Sequence, residues 1–70
     1  MITNEDRASW ARIALDAFIA RLNMGDEQTE DCVSDLLCDM MHLCDTDGVD
    51  WDECLRRALN NYRAEVRDAP

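Results

Sequence analysis

The sequence predicts an all-α fold, a three-helix bundle with helices at about residues 4–23, 27–45 and 51–67 that form one domain over residues 1–70. Apolar residues recur in each segment at intervals of three and four, which is the spacing of one helix face. The chain holds only one proline and two glycines, and both glycines fall where such a repeat stops. A core of this size is marginal for a chain that folds alone, so we expect a homodimer.

Helix one is expected to begin after Thr3, whose hydroxyl can cap the first turn, and to end near Asn23 with Gly25 as the left-handed closing residue. Its apolar residues cover more surface than two neighbouring helices would bury. The main stripe, which should face the other helices, consists of Ala8, Ala11, Ala14, Leu15, Phe18 and Leu22. The additional residues, predicted to contact a second copy or a partner, are Trp10, Ile13, Ala17 and Ile19.

Helix two is expected to begin after Asp26 as its cap, with Thr29 as the competing choice, and to end at residue 44 or 45. Asp31, Asp35 and Asp39 would form a ladder of carboxylates on one side, rising about 6 Å per step. Like charges at that spacing disfavour an isolated helix, so packing of the opposite side must stabilise it. That apolar side consists of Val33, Leu36, Leu37, Met40, Leu43 and Cys44.

The turn before helix three carries the clearest local signal. Gly48 should end helix two, Asp50 should cap helix three, and Glu53 would complete a capping box. Val49 can pack on Cys54 as a hydrophobic staple. The residues that helix three is expected to bury are Trp51, Leu55, Ala58, Leu59, Tyr62 and Val66. Those expected to face water or an acidic surface are Arg56, Arg57, Arg63 and Arg67.

The four cysteines are expected to be free thiols. Cys32, Cys38 and Cys44 are six residues apart on one helix, so they point in different directions and cannot pair with one another. Cys44 and Cys54 should pack as small apolar residues, Cys38 should be exposed, and Cys32 should lie at the boundary of a face.

Charge is distributed unevenly along the chain. The net charge is −9, there is no lysine, and the seven arginines lie in the two end segments. This balance disfavours direct binding to nucleic acid or to an anionic membrane and favours a basic partner. The carboxylates predicted to form the partner-binding face are Glu27, Glu30, Asp31, Asp35, Asp39, Asp45 and Asp47.

The first six residues are acidic and polar, where a secretory signal would be positively charged and then apolar. No apolar run is long enough to cross a membrane. We therefore expect a cytoplasmic protein.

Two local patterns resemble metal sites, but each is incomplete. Asp-x-Asp-Gly at residues 45–48 resembles part of an EF-hand loop, yet in that register the first and twelfth ligands would be a leucine and a cysteine. Cys38 and His42 could share zinc with Asp39 or Cys54, but no second pair closes the site. The sequence also has neither a nucleophile–base set nor a phosphate-binding loop, so it predicts no catalytic residue, metal or cofactor.

About half of the chain matches a known family pattern. The matching residues are Asp31-Cys32-Val33-Ser34-Asp35-Leu36-Leu37, Leu43, Gly48-Val49-Asp50, Glu53, Leu55-Arg56-Arg57-Ala58 and Asn61-Tyr62. This stretch resembles the second half of the MazG-type nucleotide pyrophosphohydrolases. The resemblance implies an all-helical dimer that holds magnesium through carboxylates on two helices. Asp35 matches the last ligand of that pattern, but Cys32 stands where the family has Glu, and helix one lacks the Glu-Glu-x-x-Glu set.

We therefore expect a small acidic, non-enzymatic interaction protein, an inhibitor or regulator that occupies a basic surface of another protein, such as one that binds nucleic acid. A phage-encoded anti-CRISPR protein or DNA mimic would have this character. The alternative is a minimal or degenerate MazG-like nucleotide pyrophosphohydrolase, which would bind a divalent metal at Asp31, Asp35 and Asp39.

Overall fold

The computed structural model describes residues 1–69 and contains three helices in this range, with no strand. They are α1 (Asn4–Leu22), α2 (Thr29–Asp47) and α3 (Trp51–Arg67). The predicted all-α, three-helix architecture is confirmed.

The start of α1 is closed as predicted, but its end is not. The Thr3 hydroxyl accepts a hydrogen bond from the Asp6 backbone N–H at 3.1 Å, and the Asp6 carboxylate accepts one from the Thr3 N–H at 2.9 Å. The left-handed residue that ends the helix is Asn23, with φ 57°. Gly25 was therefore the wrong choice: asparagine tolerates this conformation, and it occurs two residues earlier.

The start of α2 corrects the prediction of its cap. The N-cap is Gln28, which makes no side-chain cap bond, so neither Asp26 nor Thr29 caps this helix. The Glu27 N–H donates to the Met24 carbonyl at 3.0 Å, which places Asp26 inside a turn. At its other end α2 continues to Asp47, about two residues further than predicted.

The turn between α2 and α3 forms largely as predicted. Gly48 closes α2 in the left-handed region with φ 68°, and the Asp50 carboxylate accepts from the Glu53 N–H at 3.1 Å. The second half of the capping box is absent from this turn, because the Glu53 carboxylate instead accepts hydrogen bonds from Arg56 and Arg57.

The helices are splayed, and the core is very small. Leu15 of α1, 7% exposed, and Cys32 of α2, 1% exposed, are the only buried residues in the part of the chain that the structure describes. No residue of α3 is buried, and Trp51 is half-buried. The prediction that the apolar sides of α2 and α3 form a core is therefore wrong for most of their residues. Those left exposed are Val33, Leu37, Met40, Leu43, Leu55, Ala58, Leu59, Tyr62 and Val66.

The start of α1 lies beside the end of α3. The Asn4 side-chain amide donates to the Glu65 carbonyl at 3.2 Å, and the Arg7 guanidinium lies 3.0 Å from the Glu65 carboxylate. The start of α1 thus contacts the end of α3, while α1 and α2 contact each other beside a groove that Leu15 lines together with Val33 and Leu36. The result is a flat, open arrangement of 37 × 30 × 18 Å.

Candidate functional site

The first candidate surface is the acidic face, which we define as the seven predicted carboxylates. All seven are exposed. Within residues 1–69 none of them takes part in an ion pair. The arginines pair with other carboxylates, in Arg7–Glu65, Arg12–Asp16, Arg56–Glu53, Arg57–Glu53 and Arg67–Asp68. No arginine within residues 1–69 therefore neutralises the acidic face.

Helix geometry brings only part of this face together. Asp31, Asp35 and Asp39 succeed one another by one turn along α2, which is a single uninterrupted helix. Asp45 is rotated about 80° from Asp35, the middle of this line, and Glu30 and Asp47 are rotated still further from it. Glu27 lies before the helix, in the α1–α2 connection. The centre of the acidic face is thus the ladder of Asp31, Asp35 and Asp39.

Cys32 lies beside this ladder, about 20° around the helix from Asp39, and is 1% exposed, the most buried residue within residues 1–69. The prediction that it lies at the boundary of a face missed this burial. Burial raises the pKa of its thiol, and the nearby charges of Glu27, Asp35 and Asp31 raise it further, against a smaller opposite effect of Arg12. The thiol therefore stays protonated and unreactive at neutral pH.

The other three cysteines are less buried than Cys32 and differ in their exposure. All four are free thiols, as predicted, and Cys38 is exposed on the acidic side of α2. Cys44 is half-buried, and its pKa is raised by burial and by the neighbouring Cys54, Asp45 and Asp47. Cys54 is exposed, which corrects the prediction that it packs inside.

The apolar surface predicted on α1 exists in part. Trp10 and Ile13 are 54% and 68% exposed, and Ala17 follows them on the same stripe at helical spacing. Ile19 is half-buried, and it is rotated about 200° from Ala17, toward the side of α1 that carries Leu15. Ile19 therefore does not belong to this surface.

A larger apolar surface was missed because its residues had been assigned to the core. We define the α2–α3 apolar surface as the exposed large apolar side chains of these two helices: Val33, Leu37, Met40, Met41, Leu43, Leu55, Leu59, Tyr62 and Val66. It continues into an open groove of about 310 Å³ between α1 and α2, where Ala8, Ala11 and Leu15 face Val33, Leu36 and Leu37. The helical spacing of these apolar residues was the only sequence feature that pointed to this surface, and it does not distinguish a buried side of a helix from an exposed one.

Across residues 1–69, no three His, Cys, Asp or Glu side chains are grouped so that they could hold a metal ion. Cys38 and His42 thus have no third ligand of these types in that range. Among the described helices, none combines the length and the apolar character needed to cross a bilayer.

Comparisons of the chain with protein-family models, with curated proteins and with solved structures found no significant match.

Proposed function

We propose that this protein is a non-enzymatic acidic binding protein whose acidic face docks on a basic surface of another protein, of the kind that otherwise binds nucleic acid. The observation that carries the proposal is the exposure of all seven carboxylates without an ion pair in residues 1–69. Carboxylates that no internal arginine neutralises are available to an external cation, and they steer a basic partner during encounter.

The density of charge on α2 supports a nucleic-acid-like role. This helix has 19 residues, six of the seven carboxylates and no lysine or arginine. At 1.5 Å per residue, that is about one negative charge per 5 Å of axis, compared with one per 3.4 Å along a single DNA strand. A groove that is lined with lysine and arginine and binds a single nucleic-acid strand could bind α2 instead, because α2 is a continuous helix with a similar negative charge per unit length. We propose a protein with such a groove as the partner.

The test uses the full chain as bait in a lysate of its source cells, followed by mass spectrometry and a binding assay with the captured protein. We expect a basic partner whose Kd rises between 50 and 300 mM NaCl and which a single-stranded oligonucleotide displaces. The double variant Asp35→Asn/Asp39→Asn should weaken binding about tenfold or more, because it removes two central charges.

The matched control is Glu5→Gln/Asp52→Asn, which changes the net charge equally at exposed positions on α1 and α3. Its affinity should equal that of the wild-type protein, and circular dichroism should show the same helix content for both variants. Equal binding of the two variants, or a Kd indifferent to salt, would show that the acidic face is not the binding site.

The second candidate is a minimal nucleotide pyrophosphohydrolase. It rests on the common exposed line of Asp31, Asp35 and Asp39. Because no three such side chains within residues 1–69 are grouped for a metal ion, one or two of these carboxylates would have to hold magnesium together with the phosphates of the nucleotide. This function requires that magnesium raise the melting temperature and that pyrophosphate be released from a nucleoside triphosphate. The variant Asp35→Asn should abolish both effects; their absence in the wild-type protein would eliminate this candidate.

A further inference from the structure

We propose that a second copy of this chain covers the α2–α3 apolar surface, so that the folded unit is a symmetric dimer with the acidic faces turned outward. This inference concerns the side of α2 opposite the acidic face and does not depend on the proposed function.

The first argument is the exposed area. The chain of 8.1 kDa exposes 5865 Å², whereas a folded monomer of that mass exposes about 4,500 Å². Two separate copies would expose about 11,700 Å², and a compact protein of twice the mass exposes about 7,500 Å². Pairing of two copies would thus remove about 4,000 Å² in total, which lies in the range of obligate dimers.

The second argument is the size of the molecule. Its radius of gyration is 13.9 Å, but a compact domain of 70 residues has a radius of about 11 Å. A compact unit of twice this length has about 14 Å. One chain therefore has the radius of gyration of a compact unit of twice its length, as expected for one half of an intertwined or open-faced dimer.

The third argument is the pattern on α3, which explains where the partner lies. Its apolar residues occupy positions 51, 54, 55, 58, 59, 62 and 66, on one side of the helix along its whole length. The large side chains after Trp51 are 42–64% exposed. The arginines of α3 lie on the opposite side of the helix, and the one charged residue that falls within the stripe, near its edge, is Glu65, which is paired with Arg7 of α1. An exposed apolar stripe of this length is typical of a surface that another apolar surface covers.

A second copy fits this requirement better than a membrane or an unrelated protein. The area left open matches what an identical chain would cover, and a self-complementary patch gives a closed two-fold dimer. A net charge of −9 disfavours an anionic bilayer. Pairing through the apolar sides also keeps the two rows of carboxylates apart, since they lie on the far side of each α2.

The first test is sedimentation equilibrium of the full chain, combined with thermal melts at several protein concentrations. We expect a mass of twice 8.1 kDa. The melting temperature should rise with concentration, because folding is coupled to association. A mass of one chain, with a melting temperature independent of concentration, would overturn the proposal.

Substitutions locate the interface. Leu59→Ala truncates the middle of the α3 stripe and should raise the dissociation constant of the dimer at least tenfold while the protein still folds at high concentration. The control is Ile13→Ala, which truncates an even more exposed residue on the far side of α1 and should leave the dimer intact. The reverse ranking would place the interface on α1 instead and contradict the proposal.

Thiol labelling gives a readout that does not require a destabilised variant. Cys38 and Cys54 are both exposed in the single chain, but Cys54 belongs to the α3 stripe and Cys38 to the acidic side of α2. With N-ethylmaleimide and peptide mass spectrometry, Cys54 should react at least tenfold more slowly than Cys38, and Leu59→Ala should accelerate it on dilution. Labelling of Cys54 as fast as Cys38 in the native protein would show that the stripe is uncovered.

Discussion

At the scale of single residues, Glu53 has two roles. Its backbone N–H donates to the Asp50 cap, and its carboxylate accepts from Arg56 at 2.9 and 2.6 Å and from Arg57 at 3.2 Å. The bonds from Arg56 lower the pKa of Glu53 most, partial burial opposes this, and the bond from Arg57 lowers it again. The same contact raises the pKa of Arg56. The Asp50 cap stabilises the first turn of α3 whatever the charge of the Glu53 side chain, whereas the ion pairs with Arg56 and Arg57 require Glu53 to be ionised.

The stability of the fold should consequently depend on pH through Glu53. Because its pKa is lower in the folded chain than in the unfolded one, its contribution is complete above the ordinary value of about 4.3 and disappears as the pH falls through the lowered pKa. Urea unfolding at fixed protein concentration should show that Glu53→Gln destabilises the protein at pH 6 but much less at pH 3.

Glu5→Gln is the control for this measurement, since Glu5 is exposed and has no ion pair within residues 1–69. The difference in the free energy of unfolding between Glu5→Gln and the wild-type protein should be nearly the same at pH 6 and at pH 3. An equal loss for Glu53→Gln at both pH values would mean that its effect is not electrostatic.

The caps show how far local chemistry alone predicts a boundary. The prediction is correct for the N-caps Thr3 and Asp50, because each side chain can accept a hydrogen bond from the backbone three residues later. It is also correct for Gly48, because glycine readily takes the left-handed conformation that ends a helix. The prediction was wrong for the connection between α1 and α2, where Gly25 and Asp26 are both residue types that suit the roles predicted for them but do not fill these roles. The start of α2 depends on a turn that is closed by the hydrogen bond from the Glu27 N–H to the Met24 carbonyl. The residue types in this segment do not predict that turn.

At the scale of helices, Leu15 is the one buried residue of α1. It lines the groove between α1 and α2 together with Val33 and Leu36, whereas Ile13 on the far side of α1 is exposed. Truncation of Leu15 therefore removes buried apolar contact and enlarges the open groove between these helices.

We expect Leu15→Ala to lower the free energy of unfolding by about 2–3 kcal/mol, near the low end for buried leucines because little surrounds it. Ile13→Ala should cost less than about 1 kcal/mol, as surface substitutions do. Urea titration followed by circular dichroism, at one protein concentration, compares the two. Equal costs would mean that Leu15 does not anchor α1.

Helical periodicity located the apolar sides of α2 and α3 correctly but not their burial. The pattern reports which side of a helix avoids water, and it is the same whether a neighbouring helix of the chain or a separate molecule covers that side. The stripe containing Leu55 and Leu59 was therefore assigned to an internal core. The angles between the helices decide whether these apolar sides are buried within the chain. Those angles depend on contacts between residues that are distant in sequence.

At the scale of the whole molecule, charge and apolar area are segregated. The ladder of carboxylates and the apolar residues occupy opposite sides of α2, and the arginines lie on α1 and α3. A surface for self-association and a surface for a basic partner can thus coexist on one chain of 70 residues without competing. The uneven charge predicted the second surface from the sequence, while the first required the spatial arrangement.

The contacts of Glu65 with Asn4 and Arg7 have a practical consequence for protein engineering. They hold the beginning of α1 beside the end of α3, at a corner whose cleft is lined by residues of these two helices and their flanking segments. A short glycine-rich bridge across this corner would close the backbone into a ring. The chain could then be reopened between Met24 and Gln28, giving a circular permutant in which α2 comes first and both new termini lie beside the acidic ladder.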